Sequence, residues 1–294
     1  MTIYRRYETE RYYLDPLTGV KCRFPTINDA PTLHLSVIVP AKDEESRMER
    51  MLDECIDYLT ERQSENADFT WEVILVDDGS VDKTSQLALK YSERLSIEKF
   101  RVLTLLENRG KGGAVRLGFL SARGRYLLFA DADGATRFGD FSQLESQMLQ
   151  LAHQVANPSK AVVIGSRAHL EKDSIAKRSL FRTVLMFGFH FLVWLFCVRS
   201  VKDTQCGFKL FSRPAARVLF GNLHIERWAF DVELLFMAEV LGIPVKEVAV
   251  NWTEIEGSKL VPVLSWLQMG RDLVFIWFRY FSGIWAIDPK PKLD

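Results

Sequence analysis

The chain has 294 residues, 48% of them apolar and 26% charged, enough for one large domain or two ordinary ones. That apolar share excludes wholesale disorder, and 17 Gly with 10 Pro exclude a collagen-like or low-complexity chain. Lys plus Arg balance Asp plus Glu at 38 each, so no global field draws the chain to nucleic acid, which is not expected as a partner.

The first 32 residues read as a charged, tyrosine-rich extension without an apolar stretch that could be a signal peptide or anchor. From Leu35 onward, short apolar runs alternate with longer amphipathic ones, the pattern of a mainly parallel α/β sheet. Strands are predicted over 35–40, 72–76, 101–106, 126–130 and 161–165, and all but the last end in polar or small clusters. That is the edge where open α/β sheets bind ligands. A helix is predicted over 44–63, where Met48, Met51, Leu52, Cys55, Ile56 and Leu59 recur at three and four residues, and another over 230–241. Residues 184–198, VLMFGFHFLVWLFCV, carry no formal charge but are fewer than the roughly 20 needed to span a bilayer. The segment 261–287 carries Trp266, Phe275, Trp277, Phe278, Tyr280, Phe281 and Trp285 with Arg271, Asp272 and Arg279 between them. Either segment alone reads equally as a buried core helix; together they lean toward helices lying on a membrane surface. Cys22, Cys55, Cys197 and Cys206 form no C-x-x-C pair, which speaks against a disulfide framework or zinc site and for a reducing compartment.

The most specific chemical feature is Asp131-Ala-Asp133 with Gly134 at the end of RYLLFADAD. Two carboxylates two residues apart at a strand end form a clamp for a divalent cation carrying a diphosphate, against the alternative of a solvated turn. Upstream, EVILV runs into Asp77-Asp78-Gly79-Ser80, whose carboxylates suit a nucleobase N–H or ribose hydroxyl, or a plain turn and helix cap. Pro40-Ala41-Lys42-Asp43-Glu44-Glu45 makes a third polar strand end. In Asn108-Arg109-Gly110-Lys111-Gly112-Gly113 a tight strand-to-helix turn has N–H groups that either face an anion or simply start a close-packed helix with Lys111 in water. Between 166 and 182 five basic residues, Arg167, Lys172, Lys177, Arg178 and Arg182, face two acidic ones. Such an excess suits a dianionic phosphate, and a solvated face is the alternative.

The order P-x-x-[ND]-E-E, V-D-D-G-S-x-D-x-T, N-R-G-K-G-G-A and D-A-D-G-A resembles the family 2 glycosyltransferases with a GT-A fold. The phrases GSRAHLEKDSIAKRS, DTQCGFKLF, RWAFDVELL and NWTEIEGSKL are similar to members that glucosylate a polyisoprenyl phosphate. The family pattern usually has Asn at Asp43 and an aromatic residue at Lys42. The resemblance implies a Rossmann-like, mainly parallel sheet flanked by helices, with C-terminal amphipathic interfacial helices. It divides the chain into an extension (1–32), a GT-A domain (33–260, with a nucleotide half 33–135 and an acceptor half 136–260) and a membrane-interface segment (261–294).

It further implies that Pro40, Glu44, Asp78 and Lys111 bind the nucleotide sugar and that Asp131 and Asp133 hold Mg²⁺ or Mn²⁺ and the diphosphate. Arg167, Arg178 and Lys209 become the candidates for the acceptor phosphate, and Asp231 a further catalytic candidate. The implied reaction moves glucose from UDP-glucose to dolichyl phosphate with inversion, at the endoplasmic reticulum membrane facing the cytosol, and an N-terminal anchor is expected. A phosphate monoester is largely dianionic at neutral pH and needs no general base. The alternatives are another donor such as GDP-mannose, a nucleotidyltransferase, or a non-catalytic nucleotide-sugar-binding module. His224 stands where polysaccharide synthases have the Gln of Q-x-x-R-W, which argues against a processive enzyme. Asn251-Trp252-Thr253 matches a glycosylation sequon and is expected to stay unmodified on a cytosolic face. The oligomeric state is left open.

Overall fold

The computed structural model describes residues 6–154, 160–170, 201–255 and 262–291. Its centre is a seven-stranded sheet ordered β5-β4-β3-β6-β8-β7-β9. The strands are β3 (Leu33–Ala41), β4 (Trp71–Asp77), β5 (Phe100–Thr104), β6 (Gly124–Ala130), β7 (Val162–Ser166), β8 (Phe208–Ser212) and β9 (Val245–Ala249). A two-stranded hairpin, β1 (Tyr12–Leu14) and β2 (Lys21–Arg23), precedes it. From β5 to β6 all neighbours are parallel, as the apolar runs predict. β8 then enters antiparallel between β6 and β7, and β9 pairs parallel with β7 at the edge.

Both faces are covered, because alternate strand residues feed two separate cores. Ile38, Ile74, Leu127 and Phe129 pack with α3 (Lys111–Leu120), α5 (Arg213–Asn222), α6 (Phe230–Val240) and α7 (Pro262–Phe281). Val37, Val39, Val73, Leu75 and Leu128 pack with α1 (Met48–Glu65), α2 (Thr84–Leu95) and α4 (Phe141–Gln154). The helix predicted over 44–63 starts four residues later. The backbone N–H groups of Glu44 and Glu45 donate instead to Thr84 Oγ1 (2.8 Å) and Asp82 Oδ2 (3.1 Å), so the chain leaves β3 as a loop tied to the next strand end.

Residues 6–32 lie against this sheet. Phe24 and Ile27 are buried in the first core, and the Glu10 carboxylate accepts N–H groups of Tyr7 and, at 3.2 Å, Leu106. The chain therefore buttresses the loop after β5 from outside. Cys22, Cys55 and Cys206 are free thiols.

Candidate active site

The strand order turns back between β3 and β6, since β4 and β5 continue to one side of β3 and β6 joins the other. A crevice opens outside the carboxyl ends at such a switch point. The predicted motifs end there, and they interlock. Asp78 N donates to Ala41 O (2.9 Å), Asp43 N to Ser80 Oγ (2.8 Å) and Val81 N to Asp43 Oδ1 (2.7 Å). Asp43 sits at φ 50°, and the Val81 N–H, followed by Lys42, holds its carboxyl below the usual range. Glu44 is nearly buried and receives Arg47 through two bonds, Nε at 2.8 Å and Nη2 at 2.6 Å. Pro40 pairs in register with Val76 at the crevice end of β3.

The glycine-rich turn faces an anion, and the anion is the protein's own. Arg109 N and Gly110 N donate to Asp78 Oδ1 (2.7 Å) and Oδ2 (2.9 Å). Gly110 takes φ 87°, and a Cβ there would stand 2.7 Å from Glu226 O; a Cβ on Gly112 would meet Phe230 at 2.6 Å. Glycine is required because the turn is pressed against the 225–230 backbone. Burial outweighs the two N–H donors and pushes Asp78 up to about 6.

Lys111, at the first position of α3, is therefore not in water. Its Nζ lies 2.7 Å from Asp131 Oδ1 and 2.9 Å from Oδ2. Burial pulls this ammonium down, but Asp131 and Asp231 outweigh it and hold Lys111 above its ordinary value. The Asp131 carboxylate is backed by Gly207, where a Cβ would fall 1.9 Å from Oδ2, while Asp131 N donates to Gly207 O at 3.0 Å. Behind it Lys209, fully buried, brings Nζ to 2.8 Å from Asp231 Oδ1, close but off the hydrogen-bonding direction. Burial raises the Asp231 carboxyl, and Lys209 and Lys111 only partly offset it. Two ion pairs, Lys209–Asp231 and Lys111–Asp131, thus lie within electrostatic reach of each other. Lys209, expected at an acceptor phosphate, is held inside the protein by Asp231 and the Cys206 carbonyl.

Arg167 grips Asp203 through Nε (2.7 Å) and Nη2 (2.9 Å) and lies 5.4 Å from the Trp252 ring. The loop after Asp133 is fixed to the same region by Arg137 N to Asn251 O (3.0 Å) and Thr253 N to Ala135 O (2.8 Å). The Asn251 side-chain amide, the sequon nitrogen, donates to Asp140. Arg178, the rest of the basic cluster and the segment 184–198 lie outside the described residues. On α6, Glu233 is fully buried and accepts His224 N, Ile225 N (2.7 Å) and Tyr280 Oη (2.9 Å), so it anchors α7 and does not reach the crevice.

Asp131 and Asp133 fit a hard divalent cation. Burial and then the charge of Asp131 push Asp133 above the usual carboxylate range, as happens when two carboxylates share a site. Among the described residues no group of three or more His, Cys, Asp or Glu side chains converges as a metal cage. An Mg²⁺ or Mn²⁺ bound by one or two carboxylates, with phosphate oxygens and water completing the shell, matches this donor set. Sequence reasoning missed Gly207, the Lys209–Asp231 and Arg167–Asp203 pairs and the Glu233 anchor. The signal for them was that GSRAHLEKDSIAKRS, DTQCGFKLF and RWAFDVELL belonged to the resemblance.

Residues 36–220 match the family described as Glycosyl transferase family 2, and the chain belongs to that family. It is 60% identical over 290 residues to the dolichyl-phosphate beta-glucosyltransferase of Drosophila melanogaster, covering 99% of this chain and 88% of that one. To the Homo sapiens protein of the same name it is 54% identical over 294 residues, covering 100% and 90%. Among solved structures, it shares its fold with glucosyl-3-phosphoglycerate synthase from Mycobacterium tuberculosis in complex with Mn²⁺, UDP-glucose and phosphoglyceric acid. The TM-score is 0.54 at 17% identity, with 85% of this chain and 80% of that one covered. The GT-A architecture expected from the motifs is thereby borne out.

Proposed function

We propose that this chain transfers glucose from UDP-glucose to dolichyl phosphate with inversion, giving dolichyl β-D-glucosyl phosphate and UDP. The observation that carries the reading is the 60% identity, over 99% of the chain, to an enzyme bearing the name of that reaction. The geometry supports it: a nucleotide crevice at the switch point, with two carboxylates and an ammonium where a diphosphate would lie.

Pro40, Glu44 and Asp78 border the uridine pocket, and Asp131 and Asp133 are the residues that would hold Mg²⁺ or Mn²⁺. When bound, that ion would neutralise charge developing on the leaving diphosphate. Lys111 adds a positive charge beside the same leaving group, and Arg167, oriented by Asp203, is the described candidate for the acceptor phosphate. The acceptor phosphate attacks the anomeric carbon in line as a dianion and has no proton to lose, so the chain's work is positioning and electrostatics. Asp231, buried and paired with Lys209, is not needed as a base.

The acceptor is a lipid, and α7 supplies a matching surface. Val274, Phe275, Trp277, Phe278 and Phe281, with Ile284 just past the helix end, are exposed beside a buried face of Met269, Leu273 and Ile276. This outward face rests on the membrane, at the cytosolic side of the endoplasmic reticulum, where the product serves N-glycan assembly. Among the described residues no helix is long and apolar enough to cross a membrane. The donor assignment is tested by calorimetric titration with UDP-glucose and GDP-mannose in Mg²⁺. UDP-glucose should bind and GDP-mannose should not compete; preferential binding of GDP-mannose would overturn the donor.

A further inference from the structure

Both oxygens of Asp131 are engaged by one ammonium, at 2.7 and 2.9 Å. That ammonium is not a loose surface charge. Its backbone is fixed by the Gly110 turn on Asp78 and by Gly113 N donating to Glu226 O at 2.9 Å. Its Nζ lies 5.2 Å from the Phe129 ring centroid and 5.7 Å from that of Trp228. After that of Asp131, the charge of Asp231 also favours the ammonium. A divalent cation seeking Asp131 therefore meets a cation already seated there, walled in by aromatic rings. Displacing it without offering it an anion leaves two positive charges side by side in a poorly solvated place.

We propose that Lys111 is a resident counter-cation for Asp131, which it yields to the divalent ion only when a nucleotide diphosphate takes its ammonium. Resting on the reading of this crevice as a metal and diphosphate site, the proposal adds an order to it. Metal binding is contingent on nucleotide, and by reciprocity metal tightens nucleotide by the same factor. Lys111 thus works twice, keeping the clamp closed when empty and facing the diphosphate when filled.

The test is Mn²⁺ titration of the full chain, followed by the electron paramagnetic resonance of free Mn²⁺, with and without UDP. It uses the wild type, Lys111→Met, Lys111→Gln and Lys111→Arg, each first checked by thermal melting. Wild type should bind Mn²⁺ alone weakly and gain about tenfold or more with UDP, within the usual range of coupling. Lys111→Met and Lys111→Gln should bind Mn²⁺ alone about tenfold more tightly than wild type, with most of the UDP-dependent gain gone. Lys111→Arg, which keeps the charge, should behave as wild type. If the two neutral variants bind Mn²⁺ alone no tighter than wild type and keep the full gain, the proposal is overturned while the site reading stands. If wild type binds no Mn²⁺ even with UDP, the metal and diphosphate reading itself falls, and the proposal with it.

Discussion

Gly207 shows how little room the Asp131 carboxylate has. A Cβ at this position would stand 1.9 Å from Asp131 Oδ2, so Gly207→Ala must push the carboxylate out of place. Misplacement on the order of 1 Å at a reacting centre costs about 100-fold, and that loss in turnover is the expectation for this variant. Initial rates at saturating donor check it; an unchanged rate would mean that the seat of Asp131 does not matter. Asp78 carries the second prediction at this scale. Its folded pKa of about 6 lies above the unfolded carboxyl value, so between roughly pH 4 and 6 the folded state holds the extra proton. Stability from this group is accordingly lost as pH rises through that window, by on the order of 2–3 kcal/mol. Urea unfolding of wild type and Asp78→Asn at pH 4 and pH 7 measures it: the difference between them should shift by that amount in favour of the variant at pH 7. Parallel behaviour would contradict it. The carboxylates themselves were legible because each follows an apolar strand. Their partners were not, since Gly207 and Lys209 are distant from Asp131 and Asp231 in sequence and carry no local pattern that announces a pairing.

Among the elements, β3 to β7 were legible because each is a largely buried apolar run. β8 was not, because Lys209 interrupts FKLFS and a lysine inside a central strand reads as surface until its partner Asp231 is known. β9 was missed for the opposite reason: as an edge strand it is half exposed, and VKEVA reads as a loop. The helix α7 combines both alternatives considered for its segment, a core helix on one side and an apolar outward face on the other. Those two faces give separable expectations. Leu273→Ala, at a fully buried position, should cost about 2–4 kcal/mol in unfolding free energy. Replacing Phe275, Phe278 and Phe281, which are 43%, 50% and 77% exposed, by Ser should leave the unfolding midpoint nearly unchanged and weaken co-sedimentation with lipid vesicles about tenfold or more. Unchanged vesicle binding by the triple variant would remove α7 from the membrane surface.

At the scale of the whole molecule, the site is a meeting of chain segments that touch nowhere in sequence. The ends of β3, β4 and β6 carry the carboxylates proposed for nucleotide and metal, the turn before α3 brings Lys111 to Asp131, and the returning strand β8 with α6 adds the Lys209–Asp231 pair. Glu233 on α6 then accepts a hydrogen bond from Tyr280 on α7, so the helix with the apolar outward face is anchored two residues from Asp231. One body thereby joins a water-soluble donor to a lipid acceptor. The central claim is that this body makes a glucosyl lipid with the help of the Asp131–Asp133 clamp. The most direct measurement is transfer of labelled glucose from UDP-glucose to dolichyl phosphate in detergent, with Mg²⁺, with EDTA, and with Asp133→Ala. The account predicts an organic-extractable, mild-acid-labile product that forms with Mg²⁺ and falls about 100-fold or more with EDTA or in the variant. Binding of UDP-glucose without any lipid product from wild type, or full product from Asp133→Ala, would contradict it.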